Sequence, residues 1–391
     1  MNKILTRAIW IVSLVSLFTD IASEMLYPIM PVYLRSIGFS VMLIGILEGV
    51  AEATAGLSKG YFGNLSDKMG RRLPFVQWGY ALSAIAKPMM AILIHPLWIF
   101  FARTTERLGK GIRTSARDAI LSDETTAEHK GMVFGFHRAL DTVGAAIGPV
   151  VALVYLYFYP GQYRWLFLIA FLPGVFAIGL TFFIKEKKKT AGNVSVGKVG
   201  FFSYFGYWKT ASVNYKRLVA GLLAFTLFNS SDVFLLLAIK NHGLGDTQMI
   251  GVYIFYNLVY ALLSFPIGML ADKIGLKRTL MIGLSIFALV YFCFGFAASL
   301  PVFGILFFFY AVYAASTEGV SKALISNIAD KKEVATAIGF YNSFASICTL
   351  IASSVAGWLW FSFGPQVMFT VSGIGVAVTV VYFAIIKIKI A

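Results

Sequence analysis

The chain has 391 residues, 59% of them hydrophobic and only 13% charged, about half the charged share of a soluble globular domain. Apolar runs of about 20 residues, long enough to cross a bilayer as helices, exclude a soluble domain and identify a polytopic membrane protein. The 33 Lys and Arg against 18 Asp and Glu give a net charge of +15, and its distribution among the loops points to membrane topology rather than nucleic acid.

Twelve spans are expected, at 8–34, 41–63, 73–94, 97–122, 131–158, 164–184, 217–240, 248–270, 278–298, 301–327, 334–361 and 365–387. Lys3 and Arg7 before an apolar run imitate a signal peptide, but the run continues through Leu34 without a small-residue cleavage site. It reads as a retained first helix. Span one carries Asp20 and Glu24, and span two carries Glu48 and Glu52. Between spans two and three lies "GNLSDKMGRR", residues 63–72. Lys87 on span three is expected to reach Glu48 or Glu52, or to snorkel outward past Pro88. Span four carries Arg103, Glu106, Arg107, Lys110, Arg113 and Arg117 with a period near 3.5, which places them largely on one face. Span five has His137, Arg138 and Asp141, then "GAAIGPVVAL" with Gly144, Gly148 and Pro149.

The basic cluster "KEKKK" at 185–189, with Lys198, Lys209, Lys216 and Arg217, marks a linker between halves. Its segment 200–213 is expected to lie as an interfacial helix or to serve as a plain tether. Beyond it the chemistry is milder: Asn229 and Asp232 on span seven, Asn257 on span eight, Glu318 and Lys322 on span ten, and Asn342 on span eleven. Cys293 and Cys348 read as small core residues. Basic residues gather in the even-numbered connections, so both termini are expected in the cytoplasm.

An internal repeat sets the architecture. Residues 63–72 recur at 268–278, and 119–136 recur loosely at 323–340, at nearly one shift. The expected fold is all-α, with two pseudo-symmetric six-helix bundles at 1–184 and 217–391 joined by a basic cytoplasmic linker at 185–216.

These residues resemble the major facilitator superfamily over essentially the whole chain. The resemblance rests first on the loop motif: Gly63, Leu65, Asp67, Lys68, Gly70, Arg71 and Arg72 all fit, and the copy with Asp272 fits nearly as well. It implies a cytoplasmic gate built from Gly63, Asp67, Gly70 and Arg71 with Arg117, Asp118 and Asp272, in which Asp67 and Arg71 pair with charges on span four. A weaker span-four motif keeps Arg103, Gly109 and Gly111 but has Arg107 where a glycine is usual. The span-five motif of drug–proton antiporters is half matched by Gly144, Gly148 and Pro149, which leans toward bacterial efflux permeases.

The resemblance puts spans one, two, four and five around a central cavity. Asp20, Glu24, Glu48 and Glu52 are then proton-coupling candidates, with Glu52 preferred and Asp20 second; alternatively they neutralise the arginines as structural ion pairs. Arg103, Glu106, Arg107, Asn229, Asp232, Asn257, Glu318 and Asn342 are substrate-binding candidates. No ATP-binding or hydrolase motif occurs, and no enzyme activity, cofactor or metal site is expected. The resulting expectation is a monomeric secondary transporter of the inner membrane, exporting a small molecule against a proton or other ion. Uptake of an anionic or zwitterionic solute held by Arg103 and Arg107, divalent-metal export, and a receptor on a transport fold are the alternatives.

Overall fold

The structure is a computed structural model describing residues 4–27, 29–186, 200–244 and 246–388. Its helices are α1 (Arg7–Glu24), α2 (Met30–Ser36), α3 (Val41–Met69), α4 (Leu73–Ile92), α5 (Pro96–Asp123), α6 (Lys130–Phe158) and α7 (Tyr163–Thr181). After the linker come α8 (Tyr207–Thr210), α9 (Val213–Thr226), α10 (Val233–Asn241), α11 (Asp246–Ile274) and α12 (Leu276–Phe294). The last three are α13 (Leu300–Ile328), α14 (Val334–Phe363) and α15 (Pro365–Ile385). No strand occurs among the described residues.

Spans one and seven, expected as single helices, are each broken. In span one α1 gives way to α2 across residues 25–29, where the sequence carries Pro28 and then Pro31. Proline supplies no N–H to the helical ladder and clashes with the preceding turn. In span seven the break between α9 and α10 falls on "FNSSD", whose short polar side chains compete with the backbone for its hydrogen bonds. Elsewhere the termini follow ordinary rules. Thr6, Ser40 and Ser212 accept from the first-turn N–H groups of α1, α3 and α9, and proline sits in the first turn of α4, α5, α13 and α15. Gly70 ends α3 at φ 63°, and its repeat counterpart Gly275 precedes α12 at φ 102°. Both need backbone that glycine adopts without cost to a side chain.

The chain divides into two compact units. Unit one comprises Met1–Thr125, Leu140–Thr210 and Asp330–Ser343; unit two comprises Thr126–Ala139, Ala211–Ala329 and Phe344–Ala391. Helices α6 and α14 therefore contribute to both. In unit one α5 packs between α3 and α4, while α7 packs on α1 and α4. A Cβ on Gly109 would lie 2.6 Å from the Gly79 carbonyl of α4, and one on Gly111 would lie 3.0 Å from the Ala55 carbonyl of α3. The span-four glycines thus let two backbones close on α5.

Of the basic linker, residues 187–199 lie outside the described residues, and residues 200–210 pack within unit one. A 3-10 turn at Ser203–Gly206 and α8 dock on unit one, with Tyr204 fully buried against Gly60 and Trp208 stacked on Phe340. In unit two α11 and α12 pack on α13, and α12 packs on α15. Large apolar side chains such as Leu97, Leu262 and Phe361 remain exposed, as a surface in contact with hydrocarbon requires.

Candidate functional site

The charged stripe of α5 is buried and answered by α3. Arg103 donates from Nε and Nη2 to the two oxygens of Glu48, each at 2.8 Å, and from Nη1 to Glu106. Arg107 reaches Glu52 at 2.8 Å and the far oxygen of Glu48 at 3.9 Å. Bidentate geometry of this kind fixes orientation as well as charge. The ladder is graded: the Arg103 and Glu106 side chains are buried, Glu48 is 30% exposed and Glu52 is 58% exposed. Lys110, the next α5 cation, is exposed.

Lys87 takes neither expected course. It is fully buried, donates to the Ser83 carbonyl at 3.0 Å and the Ser23 hydroxyl at 3.4 Å, and lies 3.7 Å from Glu106. The next buried cation, Arg113, bonds the Ser83 hydroxyl at 2.6 Å and lies 4.5 Å over the Tyr80 ring.

A second cluster forms where α6 meets α1. Cβ atoms on Gly144 and Gly148 would lie 2.4 Å from the Leu17 carbonyl and 2.7 Å from the Met25 nitrogen, so these glycines bring the two helices into backbone contact. One turn earlier, Asp141 is presented to α1. Its carboxyl is set toward that of Asp20, whose Cβ would lie 3.1 Å from a Cβ on Gly144, and accepts from the Ser16 hydroxyl at 2.5 Å. Arg117 donates to Ser16 at 3.0 Å and to Asp118 at 2.9 and 3.1 Å. Glu24 lies one turn beyond Asp20, half-buried. Asp141 was not among the sequence-derived coupling candidates. Its signal was available, since Asp141 and Gly144 are three apart and share a helix face.

At the motif loop, Asp67 is held by Arg72 rather than by Arg71, which is exposed. Its Oδ1 accepts from Arg72 Nη2 at 2.7 Å; its Oδ2 accepts from the Thr336 backbone N–H and hydroxyl at 2.7 and 2.9 Å. α5 joins this cluster through Asp123, which bonds Arg72, and through the Ala119 carbonyl, which accepts from Arg72 at 3.1 Å. Arg117 and Asp118, expected as the latch partners, lie instead with Ser16. Gly63 is equally committed, because a Cβ there would lie 2.4 Å from the Ala335 carbonyl. In unit two Asp272 repeats the device: its two oxygens accept from the backbone N–H groups of Gly131 and Met132 at 2.8 and 2.7 Å. Each repeated aspartate therefore satisfies otherwise unpaired donors at a helix N-terminus, α14 for Asp67 and α6 for Asp272.

The remaining candidates divide. Asp232, in the break between α9 and α10, accepts from the Tyr310 hydroxyl at 2.6 Å. Asn229 donates to the Tyr313 hydroxyl at 3.1 Å. Asn257 is spent on its own helix, bonding the Tyr253 carbonyl at 2.9 Å. Glu318 pairs with Arg138 of α6 at 2.9 Å, and Arg138 also donates to Tyr260 at 2.6 Å. Asn342 falls in the part of α14 that belongs to unit one. Among the described residues no three His, Cys, Asp or Glu side chains converge as a metal site.

The chain is similar in sequence and fold to known proteins. An uncharacterized MFS-type transporter of Methanocaldococcus jannaschii is 31% identical over 374 residues, covering 94% of this chain and 92% of its own. A multi-drug resistance efflux pump of Streptococcus pneumoniae, PmrA, is 21% identical over 377 residues, covering 92% and 90%. The crystal structure of the human organic anion transporter MFSD10 superposes with a TM-score of 0.80 at 16% identity, over 96% of this chain and 99% of that one; at that identity the likeness concerns the fold. The Major Facilitator Superfamily profile matches residues 12–255 and 218–389, and the chain belongs to that superfamily of membrane transporters.

Proposed function

We propose that this transporter exports a small molecule by alternating access in exchange for protons, with the Asp20–Asp141 pair as the coupling site. The observation that carries the proposal is the close α1–α6 contact that sets those two carboxyls against each other, a Cβ on Gly144 falling 3.1 Å from the Asp20 Cβ. Two carboxyls so placed ionise together only at a cost, so the pair rather than either residue holds a proton. Loss of that proton leaves two carboxylates face to face, with Lys87, Lys110 and Arg113 the cations whose fields reach Asp20 and Arg117 one whose field reaches Asp141. A change of access that alters this contact therefore changes proton affinity. Glu52, the preferred carrier from sequence, is a weaker candidate because Arg107 already answers its charge.

The efflux relative and the half-matched span-five motif support export. The anion-uptake reading loses its ligands, since Arg103 and Arg107 are engaged by Glu48, Glu106 and Glu52. The protein works in the plasma membrane with both termini cytoplasmic, as a monomer. The test is flux in proteoliposomes under an imposed pH gradient. Asp20→Asn and Asp141→Asn should each abolish gradient-driven flux while retaining substrate exchange, which moves no net proton. An intact gradient response in both variants would overturn the assignment, and absence of any substrate flux in the wild type would favour a receptor.

A further inference from the structure

Unit two contains a carboxylate that forms no ion pair among the described residues. Asp232 sits at the break of span seven, half-buried. Its single side-chain bond is the one it accepts from Tyr310, and no basic side chain among the described residues lies within ion-pair distance of it. Arg138, whose field reaches it, is already bound to Glu318 and Tyr260. Leaving a carboxylate unanswered inside a membrane bundle is costly, and such residues mark ligand or ion pathways.

The surroundings select the sign and size of a partner. Tyr310 has the rings of Tyr313 and Tyr256 at 5.1 and 5.2 Å, with Tyr291 at 6.3 Å. The adjacent Asn229 keeps its Oδ1 without a hydrogen-bond partner. Aromatic faces and oxygen acceptors around one negative charge suit a large, weakly hydrated cation. A small alkali ion is a poor match, because it needs a shell of hard oxygen ligands.

We infer that Asp232, with Tyr310 and Asn229, forms the binding site for a monovalent organic cation, the charged group of the transported molecule. This names the substrate class and rests on the export reading above, but its test is a binding measurement that needs no gradient. The probe is tetraphenylphosphonium, titrated onto the purified full-length protein in detergent. The wild type should bind it, Asp232→Glu should stay within a few-fold, and Asp232→Asn should bind about tenfold more weakly or worse. Tyr310→Phe, which keeps the ring and loses only the hydroxyl, should fall between them. Asp232→Glu also guards against misfolding, since a merely structural aspartate would not discriminate by charge.

Wild-type protein that fails to bind the probe would overturn the inference, as would an Asp232→Asn affinity equal to wild type. So would sodium binding lost in Asp232→Asn while probe affinity is unchanged, which would mark an alkali-ion site. Probe binding without pH-driven flux would leave the cation site standing and defeat the coupling proposal. Flux of some other solute without probe binding would do the reverse.

Discussion

Arg103 is the residue on which the buried charges of unit one converge. It holds both oxygens of Glu48 and also Glu106, whose only other cation within ion-pair distance among the described residues is Lys87 at 3.7 Å. Removing one partner of a buried pair costs far more than the intact pair contributes, because the survivor keeps its desolvation penalty. Arg103→Gln should therefore destabilise the protein by about 3 kcal/mol, read as a lower melting temperature in detergent. Adding Glu48→Gln should recover part of that loss, and a single variant as stable as wild type would show the network to be dispensable. Asp67 invites a different substitution. Asp67→Asn keeps the size but puts an NH2 against one of two donors, Arg72 or Thr336. The loop then grips α14 less firmly, and turnover should fall on the order of tenfold with ligand affinity nearly unchanged. Equal turnover in the two proteins would reduce the motif to topological charge.

At the scale of the helix, α6 owes its position against α1 to two glycines, and that makes the Asp20–Asp141 pair possible. Gly144→Ala would drive a Cβ to 2.4 Å from the Leu17 carbonyl, a backbone atom with little room to yield. Gly49→Ala on α3 meets nothing within 4 Å. The first should lower the melting temperature by several degrees, as overpacking of about 1–3 kcal/mol does, and weaken pH coupling. The second should raise stability slightly, through helix propensity. Equal behaviour of the two variants would mean that α6 does not rest on Gly144. Much of this was legible in the sequence. Spacing along α5 put its charges on one face, and Glu48 and Glu52 were visible as their partners because both sets repeat every three or four residues. The breaks in spans one and seven were not, since Pro28, Pro31 and the polar "NSSD" each fall inside an apolar run long enough to be read as a single span. The choice of Arg72 over Arg71 was also out of reach. The left-handed turn at Gly70 decides which adjacent arginine folds back on Asp67, and a motif specifies both alike. The Asp20–Asp141 contact needed the rotation of one helix against another, which periodicity along a single helix does not contain.

Over the whole molecule the duplication is physical as well as textual. Asp67 and Asp272 each bind backbone N–H groups at a helix N-terminus, and Gly70 and Gly275 each take positive φ beside them. α14 and α6, the helices so held, are the two that contribute to both units. A gate made from these loops has to face the side of the membrane on which their basic residues are retained. Lys68, Arg71, Arg72, Lys273, Lys277 and Arg278 lie in or beside the two motif loops, and Lys331 and Lys332 lie in the connection before α14. Connections on the opposite side, such as the one containing Gln162, carry far fewer. Translocation disfavours short loops rich in Lys and Arg, so the motif loops should be cytoplasmic. Single cysteines test this in a background where Cys293 and Cys348 are replaced by serine. Gln162→Cys and Lys332→Cys both fall at exposed positions in connections between spans. An impermeant maleimide should label Gln162→Cys on intact cells and label Lys332→Cys only after the membrane is opened. The reverse pattern would invert the protein, place both motif loops outside, and turn the proposed proton-driven export into uptake.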